Sequence, residues 1–161
     1  MLKNKIIIIS GGAGLIGTEF TKAVIGQGGI AIIADIDEIA AMQTQKRLSE
    51  DLNSLNIVNI GVDITSRDSI LAMINTLHAR YGKIDALVNN AYPRNHNYGK
   101  TFFEVDYESF CQNVSLNLGG NFLMSQQLAY YFRGQGYGNI VNVASIYGGI
   151  APKLKYMNAH L

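Results

Sequence analysis

The sequence predicts an α/β fold, a doubly wound parallel sheet with helices on both faces. Three observations predict it. Short, near-continuous apolar runs such as Ile6-Ile7-Ile8-Ile9 and Ile30-Ala31-Ile32-Ile33-Ala34 read as strands buried on both faces, the mark of parallel pairing. Amphipathic stretches of helical period separate them, and βα alternation with right-handed crossovers puts helices on both faces. The first strand runs directly into Ser10-Gly11-Gly12-Ala13-Gly14-Leu15-Ile16-Gly17, a glycine turn that opens a helix.

Taken in order, strand one is Lys5–Ser10 and helix one Leu15–Gln27. Strand two is Ile30–Asp35, followed by an amphipathic helix, Ile39–Leu52. Strand three is Ile57–Asp63. Thr65-Ser66-Arg67-Asp68 then supplies capping residues for a helix reaching about Tyr81. Strand four is Ala86–Asn90, and a polar loop follows from Tyr92 to Val105. Asp106 has the character of an N-cap for a long helix to about Phe132, which Gly134, Gly136 and Gly138 break. Strand five is Asn139–Ser145. The whole of 1–161 reads as one domain without linker, repeat or low-complexity segment.

Composition excludes several functions. The chain is 48% hydrophobic and 16% charged, so it is globular. Its net charge is +1 and its basic residues are scattered, which argues against nucleic acid or an anionic membrane as partner. The apolar start is too short for a signal peptide, and no run is long enough to span a bilayer. The single cysteine, Cys111, has no internal disulfide partner and fits a reducing cytoplasm. The spacing of His, Cys and carboxylates offers no metal site. His78 reads as a surface residue, and His96 as a solvated loop residue that could touch a substrate beside Arg94.

Strand, glycine turn and helix N-terminus together make an anion site. Gly11 permits the turn, Gly14 lets a pyrophosphate approach the backbone, and Gly17 lets helix and strand pack closely. Asp35, at the end of the second strand, suits the hydroxyls of an adenosine ribose. It would repel a 2′-phosphate, and no Lys or Arg follows before Lys46, so NAD is favoured over NADP. The competing readings are a turn rich in glycine for turning alone, and an Asp35 or Asp37 that only caps the next helix. Asn117, Gly119 and Gly120 are poor helix formers inside a predicted helix, costing together about 2 kcal/mol against alanine. A local rule broken this way often marks function, though a loose helix middle would also explain it. Ser145 falls at the carboxyl end of strand five, where open α/β sheets bind ligands.

The glycine turn, Asp35, Asp63-Ile64-Thr65, Asn89-Asn90-Ala91, Asn117 ahead of Leu118-Gly119-Gly120-Asn121-Phe122, and Ser145 occur in the order and spacing of one family. The chain resembles the short-chain dehydrogenase/reductases from its first strand to its last. Asn90-Ala91-Tyr92-Pro93-Arg94-Asn95 further resembles members found in cell-surface sugar and flagellin-modification pathways. The resemblance implies a Rossmann-type fold with strand order 3-2-1-4-5-6-7, truncated here after the fifth strand. It implies an NAD(P)-binding domain that moves hydride between nicotinamide and a secondary alcohol or ketone. Cofactor contacts fall to Ser10, Gly11, Gly14, Leu15, Ile16, Gly17, Asp35, Asp63, Ile64, Asn90 and Ala91. Within these, Asp63 lies near the adenine amino group and Ile64 flanks the ring. A cap for the following helix is an equal reading of Asp63 from the residues alone. Asn117 would hold a water in a proton relay, and Ser145 would hydrogen-bond the substrate oxygen. Tyr92 stands where the family carries glycine, which puts the local backbone shape in question.

The family's Tyr-x-x-x-Lys pair has no counterpart after Ser145. The nearest spacing is Tyr156…His160, and a neutral His160 is no substitute for a permanent cation. The expectation is therefore an incomplete C-terminus, an open edge at strand five, and no hydride transfer by this chain alone at a normal rate. The full-length enzyme is expected to be a homo-oligomer. Two rival readings remain: a nucleotide-binding pseudoenzyme or interaction module, and a sugar-nucleotide epimerase or dehydratase. The second shares the spacing Gly11-x-x-Gly14-x-x-Gly17.

Overall fold

The structure, a computed structural model, describes residues 1–150. Its elements are β1 (Ile6–Ser10), α1 (Leu15–Gly26), β2 (Ile30–Asp35), α2 (Glu38–Asp51), β3 (Ile57–Gly61), α3 (Arg67–Tyr81), β4 (Ala86–Asn89), α4 (Tyr107–Val114), α5 (Gly120–Gln135) and β5 (Asn139–Asn142). All strand pairs are parallel and the sheet order is β3-β2-β1-β4-β5, the order expected for the described strands.

The period of two along β1 assigns each isoleucine to one of two cores. Ile6 and Ile8 pack with Ile70, Met73, Ile74 and Leu77 of α3 and Met124, Leu128 and Phe132 of α5. Ile7 and Ile9 pack on the other face with Val24 of α1. Ile33 of β2 meets Ala41 and Leu48 of α2 on that same side. Each such isoleucine contributes about 1.5–3 kcal/mol by burial. The central strands can therefore be apolar throughout, because helices cover both faces.

Three strand ends come earlier than the sequence predicts, for one reason. β3 ends at Gly61, opposite Asp35, where β2 runs out. β5 ends at Asn142, opposite Asn89, where β4 runs out. β4 itself stops at Asn89, because the next backbone N–H turns to the Ser10 hydroxyl at 3.0 Å. A strand needs a ladder partner, and composition alone does not reveal where it ends.

The long helix after Asp106 is a larger departure. Asp106 is its N-cap, accepting from the Ser109 N–H at 2.7 Å. The helix does not run unbroken to Phe132. A π-helical turn, Ser115–Gly119, divides α4 from α5. Asn117 sits in the middle of that turn, among the residues that helix propensity disfavours. Gly120 follows it against Ile64, whose Cδ1 would lie 2.8 Å from any added Cβ, so α5 starts hard against the loop after β3.

At the amino edge of the sheet, far from the strand carboxyl ends, Asp85 ties the bottom together. It is 7% exposed, accepts from the Ile6 N–H at 2.9 Å, and pairs with Lys5 at 2.8 Å and Lys83 at 3.0 Å. Burial pushes its carboxyl up, but these donors outweigh that and hold it below the usual aspartate value.

Candidate functional site at the strand carboxyl ends

The carboxyl ends of β1, β2, β3 and β4 open into a cleft of about 630 Å³. Gly11, Gly14, Leu15, Ile16, Asp35, Asp63, Ile64, Asn90 and Ala91 line it, together with Ile36, Val62, Tyr92, Pro93 and Arg94. Most residues singled out in the sequence thus meet in one place.

The glycine turn is shaped by two steric facts. Gly11 has φ +63°, and a Cβ there would lie 2.8 Å from the Ala91 Cα. A Cβ on Gly17 would fall onto the Gly11 carbonyl oxygen and within 2.7 Å of the Gly12 Cα. Gly17 therefore seats α1 on the turn that precedes it rather than on a strand. Gly14 is the N-cap of α1 and makes no side-chain cap bond. The first amides of that helix consequently face the cleft without intrahelical acceptors. No acidic side chain occupies this first turn, so the positive end of the dipole is uncompensated.

Ser10 and Gly17 lie beneath the cleft rather than on its wall. Ser10 is fully buried; its hydroxyl accepts from the backbone N–H of Asn90 at 3.0 Å and of Ala91 at 3.1 Å. Asn90 replies by donating its amide to the carbonyls of Ser10 at 3.0 Å and Gly11 at 3.1 Å. This reciprocal lock fixes the β4 end against the glycine turn. Among the described residues with positive φ other than glycine are Asn4 and Asn53, not Tyr92. Tyr92 keeps an ordinary backbone where the family carries glycine.

The two acidic residues sort themselves from their capping alternatives. The N-cap of α2 is Asp37, accepting from the Ala40 N–H at 2.9 Å. Asp35 instead accepts from the Ala13 N–H at 3.1 Å, tying the glycine turn to β2, and its carboxylate borders the cleft. The N-cap of α3 is Ser66. Asp63 makes a local turn ahead of it, accepting from the N–H and hydroxyl of Thr65 at 2.8 and 2.7 Å through one oxygen.

The two residues expected to serve chemistry stand off this wall. Asn117 lies in the π-turn, where its carbonyl accepts from the Asn121 amide at 2.9 Å. The same amide reaches the Ala91 carbonyl at 3.3 Å, so Asn121 ties the π-turn to the end of β4. Ser145 is exposed three residues beyond β5 and caps a single 3₁₀ turn, Ile146–Gly148, accepting from the Tyr147 N–H at 3.2 Å. Tyr156 and His160 lie outside the described residues. Among the described residues no group of His, Cys and carboxylates could hold a metal, and no helix is long and apolar enough to cross a membrane.

A polar cluster the sequence hides lies between β4, β5 and α5. Asn89, 3% exposed, donates to Ser125 at 2.7 Å and to Asn142 at 2.8 Å. The side-chain oxygens of Asn89 and Asn121 are buried without a protein donor among the described residues. Its only sequence signal is an asparagine at a strand position, which needs a satisfied amide.

Comparisons with known proteins agree with this architecture. The family model described as short chain dehydrogenase matches residues 5–157. The chain is 38% identical over 156 residues to a post-translational flagellin modification protein A of Campylobacter coli, across 96% of this chain and 60% of that protein. It is 36% identical over 146 residues to a 7alpha-hydroxysteroid dehydrogenase of Bacteroides fragilis, across 91% of this chain and 56% of that protein. Among solved structures, a 3-ketoacyl-(acyl-carrier-protein) reductase from Brucella melitensis complexed with NADH superposes with a TM-score of 0.80 at 26% identity, covering 99% of this chain and 65% of that one. The chain spans little more than half the length of the curated relatives it matches.

Proposed function

The chain belongs to the short-chain dehydrogenase family, and on that premise we propose that residues 1–161 form an NAD(H)-binding domain serving hydride transfer between a nicotinamide and a secondary alcohol or ketone. The observation that carries this reading is the cleft itself. Its wall runs from the Asp35 carboxylate, past a helix N-terminus without side-chain competition, to a locked strand end. Those three features fit, in order, a ribose diol, a pyrophosphate and a second ribose. Bound there, the nicotinamide supplies or accepts the hydride.

The residues act through binding and orientation. The first amides of α1 hold the pyrophosphate. Asp35 accepts from the adenosine ribose hydroxyls and opposes a 2′-phosphate, with Asp37, Glu38 and Ile36 offering no cation in its place. Asp63 lies near the adenine amino group, Ile64 flanks the ring, and Asn90 and Ala91 border the nicotinamide ribose. Asn117, in the π-turn that Asn121 ties to the β4 end, holds a water for proton transfer, and Ser145 orients the substrate oxygen. A homo-oligomeric assembly of the working enzyme accompanies this proposal.

The test is calorimetry. NADH should bind more tightly than NADPH, and Asp35→Ala should weaken NADH by about tenfold or more, the worth of a charge-assisted hydrogen bond, while narrowing the gap. Equal affinities for the two cofactors in the parent chain would sink the NAD assignment. Absence of binding by either would sink the domain assignment.

A further inference from the structure

The charges along the cleft are sorted by end. The acids of its lining are Asp35, which ends β2, and Asp63, just beyond β3; among the described residues its one base is Arg94, beyond β4. Strand order places Arg94 on the side away from the adenosine end. Among the described residues Arg94 makes no ion pair with a carboxylate. Its guanidinium lies 6.0 Å from the Tyr92 ring centre and 5.0 Å from that of Tyr98. The two rings meet edge to face at 5.8 Å, and their hydroxyls are 3.2 Å apart. The hydrogen bond shared with Tyr98, with some burial, holds the Tyr92 phenol above its usual value, so the ring stays neutral and leaves the arginine charge uncancelled.

The backbone beneath Arg94 is fixed. Its neighbour Asn95 donates its N–H to Asn113 at 2.9 Å and its amide to Gln112 at 2.9 Å, and accepts from Asn113 at 3.0 Å. Asn97 donates to the Ser109 hydroxyl at 2.8 Å. The loop is thereby pinned to α4 on one side and to the cleft on the other. An exposed arginine on a free loop is an ordinary surface cation. A guanidinium braced by two linked rings, on a pinned loop, at the cleft wall and without a carboxylate partner among the described residues is preorganised for an oxyanion that can take two parallel N–H bonds.

We propose that Arg94, braced by Tyr92 and Tyr98, is an anion-recognition site at the substrate end of the cleft, and that the substrate carries a carboxylate or phosphate group. This rests on the cofactor orientation proposed above. The guanidinium donates a fork of N–H bonds to the oxyanion, holding the substrate by a group remote from the reacting carbon.

Nuclear magnetic resonance on the 15N-labelled full chain tests it. NADH is titrated first, into wild type and into Arg94→Gln and Arg94→Lys. Glucose, glucuronate, glucose 6-phosphate and inorganic phosphate are then titrated into each NADH complex. The anions should give saturable shifts at the Arg94 side-chain N–H and the Asn95 and Asn97 amides, while glucose gives none. Arg94→Gln should weaken the better anion by about tenfold or more, and Arg94→Lys less, because a lysine offers no fork. Whether glucuronate or glucose 6-phosphate binds more tightly separates carboxylate from phosphate. NADH affinity should be the same in all three proteins. Four results would overturn the site: no anion-dependent shift in the loop, glucose binding as well as the anions, Arg94→Gln leaving the preference intact, or a matching loss of NADH affinity, which would assign the guanidinium to the cofactor. Failure of NADH to bind at all refutes the function reading instead, and the same anion titrations on the free chain then decide the arginine site by the same shifts.

Discussion

The two halves of the cleft are built differently. On the β1–β2–β3 side, the strands are covered on both faces, each acidic or hydroxyl side chain near the cleft has a defined partner, and the turn is set by glycines that admit no substitute. On the β4–β5 side, β5 pairs only with β4 among the described residues, Val141 and Val143 are 46% and 43% exposed, and the helix carries a π-turn. Two buried amide oxygens there lack protein donors among the described residues. The first half is internally braced around the cleft wall to which the proposed function assigns the pyrophosphate and the adenosine ribose. The second half holds polar groups in position for contacts that the described residues do not supply.

The largest expected effect breaks the first half. Gly17→Val would drive a branched side chain into the Gly11 carbonyl, with backbone on both sides and no flexible neighbour to give way. Overpacking of this kind costs about 3 kcal/mol. NADH binding should vanish and the melting temperature fall together. A variant that keeps its stability but loses NADH would show that the turn and the core are less tightly coupled than their contacts imply.

Next is a cut into the second half. Asn89→Ala removes the amide that joins β4 to α5 and β5, leaving Asn142 and Ser125 without a donor, and should cost about 2 kcal/mol in chemical denaturation. NADH affinity should change far less than in Gly17→Val, because Ser10 and Asn90 lock the β4 end independently. Equal damage to cofactor binding would merge the two halves into one unit.

How legible each half was follows from the same contrast. The first half is encoded locally: a glycine turn, a carboxylate at a strand end and unbroken apolar runs carry their meaning within a few residues. Even the capping ambiguity of Asp35 and Asp37 involved neighbours, and one hydrogen bond to Ala40 decides it. The second half is encoded through pairs distant in sequence. Poor helix propensity at Asn117, Gly119 and Gly120 signals a disturbance, but not that it takes the form of a π-turn. The end of β5 depends on where β4 stops. The Arg94 cage needs Tyr98, and the loop's rigidity needs Asn113 on α4, neither of which periodicity points to.

A pH scan sharpens the comparison from the far side of the sheet. Asp85 has a depressed carboxyl in the fold, so its contribution is present above the ordinary aspartate range and is lost as pH falls through the lower folded value. Denaturation midpoints should decline on acidification, and Asp85→Asn should flatten that limb while removing part of the stability at neutral pH. Both cleft halves rest on β1 and β4, which Asp85 joins, so their melting should shift together. An acid limb unchanged in Asp85→Asn would assign it to other carboxylates.

The smallest effect on the folded chain, and the most telling about its surface, concerns α4 and α5. Phe110, Val114, Leu118 and Phe122 recur at helical spacing across the π-turn and are 56%, 42%, 68% and 62% exposed. A contiguous exposed apolar stripe of this kind is a candidate contact surface. Leu118→Ser with Phe122→Ser should alter monomer stability by no more than about 0.5 kcal/mol, since neither side chain is in the core. The same pair should reduce self-association in sedimentation velocity. Val141→Lys on the open edge of β5 should do so by a separate route, by placing charge where another strand would pair. If the helix variant stays associated and the strand variant becomes monomeric, pairing at the β5 edge governs assembly. The reverse outcome assigns assembly to the helix stripe. A wild-type chain that sediments as a monomer at all concentrations would mean that the second half is complete without a partner.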